Sequence, residues 1–160
     1  MRFIALIVAA GLLAPLSVAS GQTFNVTTNA DAGPGSLRQA IIDANAFNGA
    51  ATIDFDAGLG TITLGSEFDP LVNPAGITIH GNGATIDGGS TSNATGYRVF
   101  FVGVSDDIAS VSPGLSATNG TNWAISDLTL QNANARGGNG SGGGAGLGGG
   151  VFVNAGHLTL

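Results

Sequence analysis

The chain has 160 residues, 43% of them apolar and 9% charged, with a formal net charge of −6 and no cysteine. So acidic a surface repels phosphate backbones, which excludes nucleic acid as a partner class. The apolar fraction is too high for a disordered chain, and the lack of cysteine excludes a small disulfide-stapled scaffold.

In chain order, Arg2 is followed by an apolar run over residues 3–16 and then by small residues. That is the pattern of a secretory signal peptide, and the run is shorter than the ~20 residues a spanning helix needs. Cleavage fits after Ala19 (Ser17-Val18-Ala19) or after Gly21 (Ala19-Ser20-Gly21), so residues 1–21 read as a leader and the rest as an exported domain. Beyond the leader only Arg38, Arg98 and Arg136 carry a fixed positive charge.

Residues 22–50 read as one strand, "TFNVTT" at 23–28, and one helix. The helix lies in "GPGSLRQAIIDAN", residues 33–45. Ser36 with Gln39 three residues on matches a capping box, and Pro34 and Gly35 forbid an earlier start. Leu37, Ala40, Ile41 and Ala44 recur at helical spacing and form one apolar face. Covering the open end of a stack of strands is the expected task of that face. Packing on the side of an ordinary sheet is the alternative.

From residue 51 onward, short apolar runs alternate with turn signals: "ATIDFD" (51–56), "TITL" (61–64), "GITIHG" (76–81), "ATIDG" (84–88), "RVFFVG" (98–103), "WAISDLTLQN" (123–132), "GGVFVN" (149–154) and "HLTL" (157–160). Alternation such as Ile77-Thr78-Ile79-His80 has the period of a strand. Asn82-Gly83, Asp87-Gly88 and Asn119-Gly120 suit tight turns, because Asn and Gly tolerate positive φ. An antiparallel sandwich and a parallel solenoid both use such strands. The recurrent Ile/Leu-Thr-Ile/Leu unit, with copies starting at Leu128 and Leu158, favours the solenoid.

The segment "TFNVTTNADAGPGSLRQAIIDAN" with "GAATIDFD" resembles the N-terminal part of bacterial right-handed parallel β-helix proteins, such as autotransporter passengers and polymorphic outer-membrane proteins. The later "GLGGGVFVNAGHLTL" resembles the glycine-rich coil those proteins repeat. The resemblance implies an all-β fold, a right-handed parallel β-helix (solenoid) with one N-terminal capping α-helix, its coils over residues 51–160 incomplete at the C-terminal end. It also implies export to the surface or outer membrane of a Gram-negative bacterium. Contact with the membrane is then expected only through a C-terminal barrel or anchor beyond these residues.

Candidate sites are few. The run "GGNGSGGGAGLGGG" (137–150) lacks the lysine of a phosphate loop and is followed by strand-like "VFVN", so it reads as a loop. Asp54, Asp56 and Asp87 could gather as paired carboxylates if strands stacked about 4.8 Å apart, but each also reads as a solvent-facing strand or turn residue. Asp106-Asp107 reads as solvated loop charge. His80 and His157 have no companion at metal-ligand spacing. Trp123 and Tyr97 read as packing residues, and Asn82, Asn132 and Asn154 as a possible side-chain ladder.

The expectation is therefore a non-enzymatic secreted or surface module, adhesin-like, with no catalytic residue, cofactor or metal, and with a surface ligand or host or matrix component as its partner. The residues assigned a role are those of the structural cap: Ser36, Leu37, Gln39, Ala40, Ile41 and Ala44. A fragment of a carbohydrate-active enzyme, a lyase or hydrolase with its site elsewhere, and a truncated non-functional product are the rival readings.

Overall fold

The computed structural model describes residues 21–92, 95–111, 115–135, 146 and 148–160. The expected leader up to residue 20 and most of the glycine run lie outside the described residues. A strand, a helix and a second strand open the fold. β1 (Gln22–Val26) leads through α1 (Leu37–Ala46) to β2 (Ala51–Phe55), which runs parallel to β1 with Phe24 opposite Ile53. Parallel neighbours need a crossover, and α1 supplies it.

Ser36 starts the helix. Its Oγ accepts from the Gln39 N–H (3.2 Å) and donates to the Gly33 carbonyl (2.7 Å), which satisfies one of the orphan amides of the first turn. The reciprocal half of the capping box is not formed. The Ser36 N–H is already bonded to the Gly33 carbonyl, and the Gln39 side chain donates to Asp43 one turn on. Leu37, Ala40, Ile41 and Ala44 are buried, and the helix packs against β1 and β2.

The chain continues through β3 (Thr61–Thr63), β4 (Ile77–Asp87), β5 (Phe100–Val102), α2 (Asp106–Val111), β6 (Asn122–Gln131), β7 (Val151–Val153) and β8 (His157–Thr159). Strands β1-β2-β4-β6-β8 make one parallel sheet in that order, and β3 joins it on β4. β5 and β7 form a separate parallel pair. No helix among the described residues is long and apolar enough to cross a membrane.

This corrects the expected fold. The described strands and helices make a mixed α/β arrangement around a parallel sheet and close no solenoid, so α1 is a helix packed on a sheet and not the cap of a coil stack. The sequence repeat misled because it does not set the register. Leu158 lies opposite Trp123, whereas Leu128 lies opposite Ala84. The steps between paired residues are also unequal, running from Ala51 to Ile77 but from Thr78 to Ala124. The second helix falls where a charged loop was expected.

Asn82-Gly83 does not close a hairpin. The two runs on either side of it are one strand, β4, and between the pairs His80–Ser126 and Ala84–Leu128 three residues, Gly81, Asn82 and Gly83, stand against Asp127 alone. Left-handed φ values at Asn82 (47°), Gly83 (80°) and Asp127 (53°) accommodate the bulge. On either side of it the strand keeps its alternation: Ile77, Ile79, Ala84 and Ile86 are buried with Ile53, Phe55, Ile62, Trp123 and Ile125. Each fully buried Ile contributes about 1.5–3 kcal/mol.

Candidate functional site

With Ile77, Ile79, Ala84 and Ile86 of β4 facing in, the opposite face carries polar side chains in rows across the strands. Asn25, Asp54, His80 and Ser126 are successive partners on β1, β2, β4 and β6. Thr23, Thr52 and Thr78 make a second row, and Thr61, Thr85 and Thr129 a third beyond the bulge. Neighbouring strands lie about 4.8 Å apart, and alternate residues of one strand about 6.6 Å apart, so these rows form a fixed grid.

In the first row His80 Nδ1 and Ser126 Oγ are 3.1 Å apart, and the Ser126 hydroxyl reaches the Ile79 carbonyl at 3.5 Å. A hydroxyl that donates to that carbonyl can accept from a protonated Nδ1. Asp54 stands on the other side of His80 in the register and accepts from the Asn82 amide at 3.5 Å. A carboxylate, an imidazole and a hydroxyl thus occupy adjacent strands. The three side chains are carried by strands paired on both sides of β4, next to the bulge at Gly81–Gly83.

The three expected carboxylates do not gather. Asp54 is in the row with His80, Asp56 is exposed just past β2, and Asp87 lies beyond the bulge opposite Thr63 and Gln131. Asp87 accepts from the Gly89 N–H (2.8 Å) and from the Gln131 and Asn132 amides (2.9 Å each). These bonds, the Gly89 amide foremost, then Asn132 and Gln131, hold its carboxyl below the ordinary aspartate value against a small opposing effect of desolvation. Among the described residues no three His, Cys, Asp or Glu side chains converge as a metal site.

No family model, curated protein or solved structure matches the chain.

The other singled-out residues are dispersed. Asp106 and Asp107 occupy the first turn of α2, where Asp106 accepts from the Asn119 amide at 2.8 Å. His157 is exposed on β8 opposite Asn122. Trp123 is buried, and Tyr97 is half-buried against the core. The asparagines do not form a ladder: Asn82 donates to Asp54 and to the Phe55 carbonyl, Asn132 donates to Asp87, and the Asn154 amide nitrogen is buried without a partner among the described residues. Sequence reasoning missed the Asp54–His80–Ser126 row because its members are far apart in the chain. Only the pairing of "TID", "TIH" and "AIS" at residues 52–54, 78–80 and 124–126 would have found it.

Proposed function

We propose that the chain is a non-catalytic module exported to the cell surface, of the kind found in passenger segments of surface proteins, and that it contacts an extracellular ligand through the outward face of its parallel sheet. The observation that carries this reading is the grid of threonines and of Asn25, Asp54, His80 and Ser126, held in register across strands. Hydroxyls, an amide, an imidazole and a carboxylate at fixed intervals match a ligand with repeating hydroxyl and amide groups, as a surface polysaccharide or a matrix component has. Ladder hydrogen bonds pre-order the face, so little conformational entropy is lost on contact. The leader-like segment at residues 1–21 supports export.

The test is expression of the tagged chain in a Gram-negative host, with antibody labelling of intact cells and assay of the medium, followed by retention of the recovered protein on immobilised matrix glycoprotein. Labelled cells or tagged protein in the medium, with retention abolished by Thr52→Glu and Thr78→Glu together, is the expected result. Confinement to the cytoplasm, or retention indifferent to both substitutions, overturns it.

A further inference from the structure

Given the contact surface proposed above, the outward face of the sheet, we infer that its ligand is a polysaccharide carrying free amino groups, as an N-deacetylated hexosamine polymer does. Charge decides the class. The strands of the sheet contain the carboxylates of Asp54, Asp87 and Asp127 and neither lysine nor arginine. Asp54 and Asp87 alternate with the buried Ile53 and Ile86 and so face outward, and Asp127 is exposed opposite the bulge. Arg38 is paired with Asp31, and Arg98 lies over the Phe101 and Phe152 rings of the separate β5–β7 pair. A uronate or sulfated polymer would meet carboxylates there with no fixed cation to answer it, in a chain of net charge −6.

Hydrogen-bonding capacity points the same way. Among the described residues the Asp54 carboxylate accepts only the Asn82 amide, at 3.5 Å, and the Asp127 carboxylate has no partner. An ammonium group brings three donors and a positive charge, and its bond to a carboxylate is charge-assisted. A ligand of hydroxyls alone would leave that capacity unused. Asp87 differs, because the Gly89, Gln131 and Asn132 donors already occupy it, so it adds to the field of the face and not to its contacts.

Shape selects a polymer of sugars. Ser126 and Gln131, the β6 partners of His80 and Asp87, are five residues apart, a span of about 16 Å along an extended strand, which is longer than one sugar ring. The two threonine rows lie on either side of the row that holds Asp54. Each threonine hydroxyl donates and accepts, as the hydroxyls of a sugar do. A lysine-rich peptide also brings ammonium groups, but an extended peptide docks by ladder bonds at a sheet edge. The face offers side chains instead, and rows of hydroxyls suit a ligand with hydroxyls on every unit.

The test is retention of the full chain, as processed by the cell that expresses it, at low ionic strength on four immobilised probes: a partly N-deacetylated glucosamine polymer, the same polymer re-acetylated, a polyuronate and polylysine. Retention on the deacetylated polymer, lost on re-acetylation and absent on the polyuronate, is the expected result. Asp54→Asn with Asp127→Asn should weaken it about tenfold or more, since two charge-assisted bonds are lost. Asparagine keeps the shape of both side chains and suits the left-handed φ of 53° at residue 127. Asp43→Asn with Asp69→Asn removes the same charge from exposed positions outside the sheet and should leave retention unchanged. Equal retention on the acetylated and deacetylated polymers overturns the inference while leaving the face a contact surface. Retention on polylysine alone, on the polyuronate or on none of the probes also overturns it, as does equal weakening by the two double substitutions. Labelling of intact cells and retention on matrix glycoprotein decide the contact-surface reading separately.

Discussion

Asn73, fully buried in the loop before β4, ends a helix 29 residues away: its Nδ2 donates to the Ala44 carbonyl at 2.7 Å. The same nitrogen reaches the carbonyls of Phe47 (3.2 Å) and Gly49 (3.0 Å), and Oδ1 accepts from the Ala75 N–H (2.8 Å). Helix α1 leaves through Phe47 in an extended conformation, without a glycine to fold its last carbonyls back on themselves. A side chain from a distant loop does that work.

Replacing Asn73 should therefore be costly. Asn73→Ala leaves buried carbonyls without a donor and should cost about 3 kcal/mol of unfolding free energy. Asn73→Asp adds a pH signature. A carboxyl among carbonyl oxygens has a folded-state pKa raised above the unfolded ~3.9. Relative to the ionised variant, its protonated form retains stability that is fully present below the unfolded value and is lost as pH rises through the folded one. Denaturant unfolding at pH 4 and pH 8 should show the variant gaining on the parent protein at the lower pH; equal deficits at both would refute the assignment.

Arg38 ties α1 to the segment after β3. It forms an ion pair with Asp31 (2.7 Å), donates to the carbonyls of Asp31, Ser66 and Glu67, and lies over the Phe68 ring. Those acceptors diverge in a way that a planar guanidinium can serve and a single ammonium cannot. Arg38→Lys should lose about 1–3 kcal/mol, close to the loss in Arg38→Met. Recovery of most of the parent's stability by lysine would mean that charge alone matters.

Local chemistry was the legible part. Apolar alternation and turn residues located the strands, and the spacing of Leu37, Ala40, Ile41 and Ala44 located the helix face. Each of those signals is contained within a dozen residues. What could not be read were relations across the chain: the bond from Asn73 to Ala44, the reach of Arg38 to Ser66, and the alignment of Asp54, His80 and Ser126. These depend on sheet register, which the unequal connections set and the repeated Leu-Thr-Leu units do not. The same gap explains the wrong expectation of a regular solenoid. Asn82-Gly83 failed differently, because a pair that suits a hairpin turn suits a bulge as well, and only the strand partners decide between them.

Two glycines separate backbone strain from steric collision. Gly83 has φ +80° and nothing within 4 Å of an added Cβ, so Gly83→Ala should cost only the left-handed penalty of about 1–2 kcal/mol. Gly156 has φ +85°, but there a Cβ would strike the Trp123 ring and the carbonyls of Thr121 and Thr118. Gly156→Ala should therefore lose at least about 2 kcal/mol more than Gly83→Ala, since overpacking adds to strain. Thermal unfolding of the two variants side by side reads the difference, and equal losses would show that the contact between β8's approach and Trp123 is not tight.

The last prediction concerns acid stability at the junction of β4 and β6. Asp87 gathers the Gly89 N–H and the amides of Asn132 and Gln131, the last two from the strand paired with it and its continuation. All three donate, so they favour the ionised carboxylate, and its pKa in the folded protein lies below the ordinary value of 3.8. A depressed pKa contributes stability that is present above the unfolded value and is lost as pH falls through the folded one, so the effect belongs to the range below about pH 4. The group is solvent-facing, and screening keeps the gain small. In Asp87→Asn the side-chain oxygen still accepts a bond but no longer titrates, so the variant's stability should fall less steeply than the parent's below pH 4. Carboxyl carbon chemical shifts followed through an acid titration give the independent check. A midpoint for Asp87 at or above the unfolded value would mean that the three donors are not bound to it in solution, and that the β4–β6 junction is held by the ladder alone.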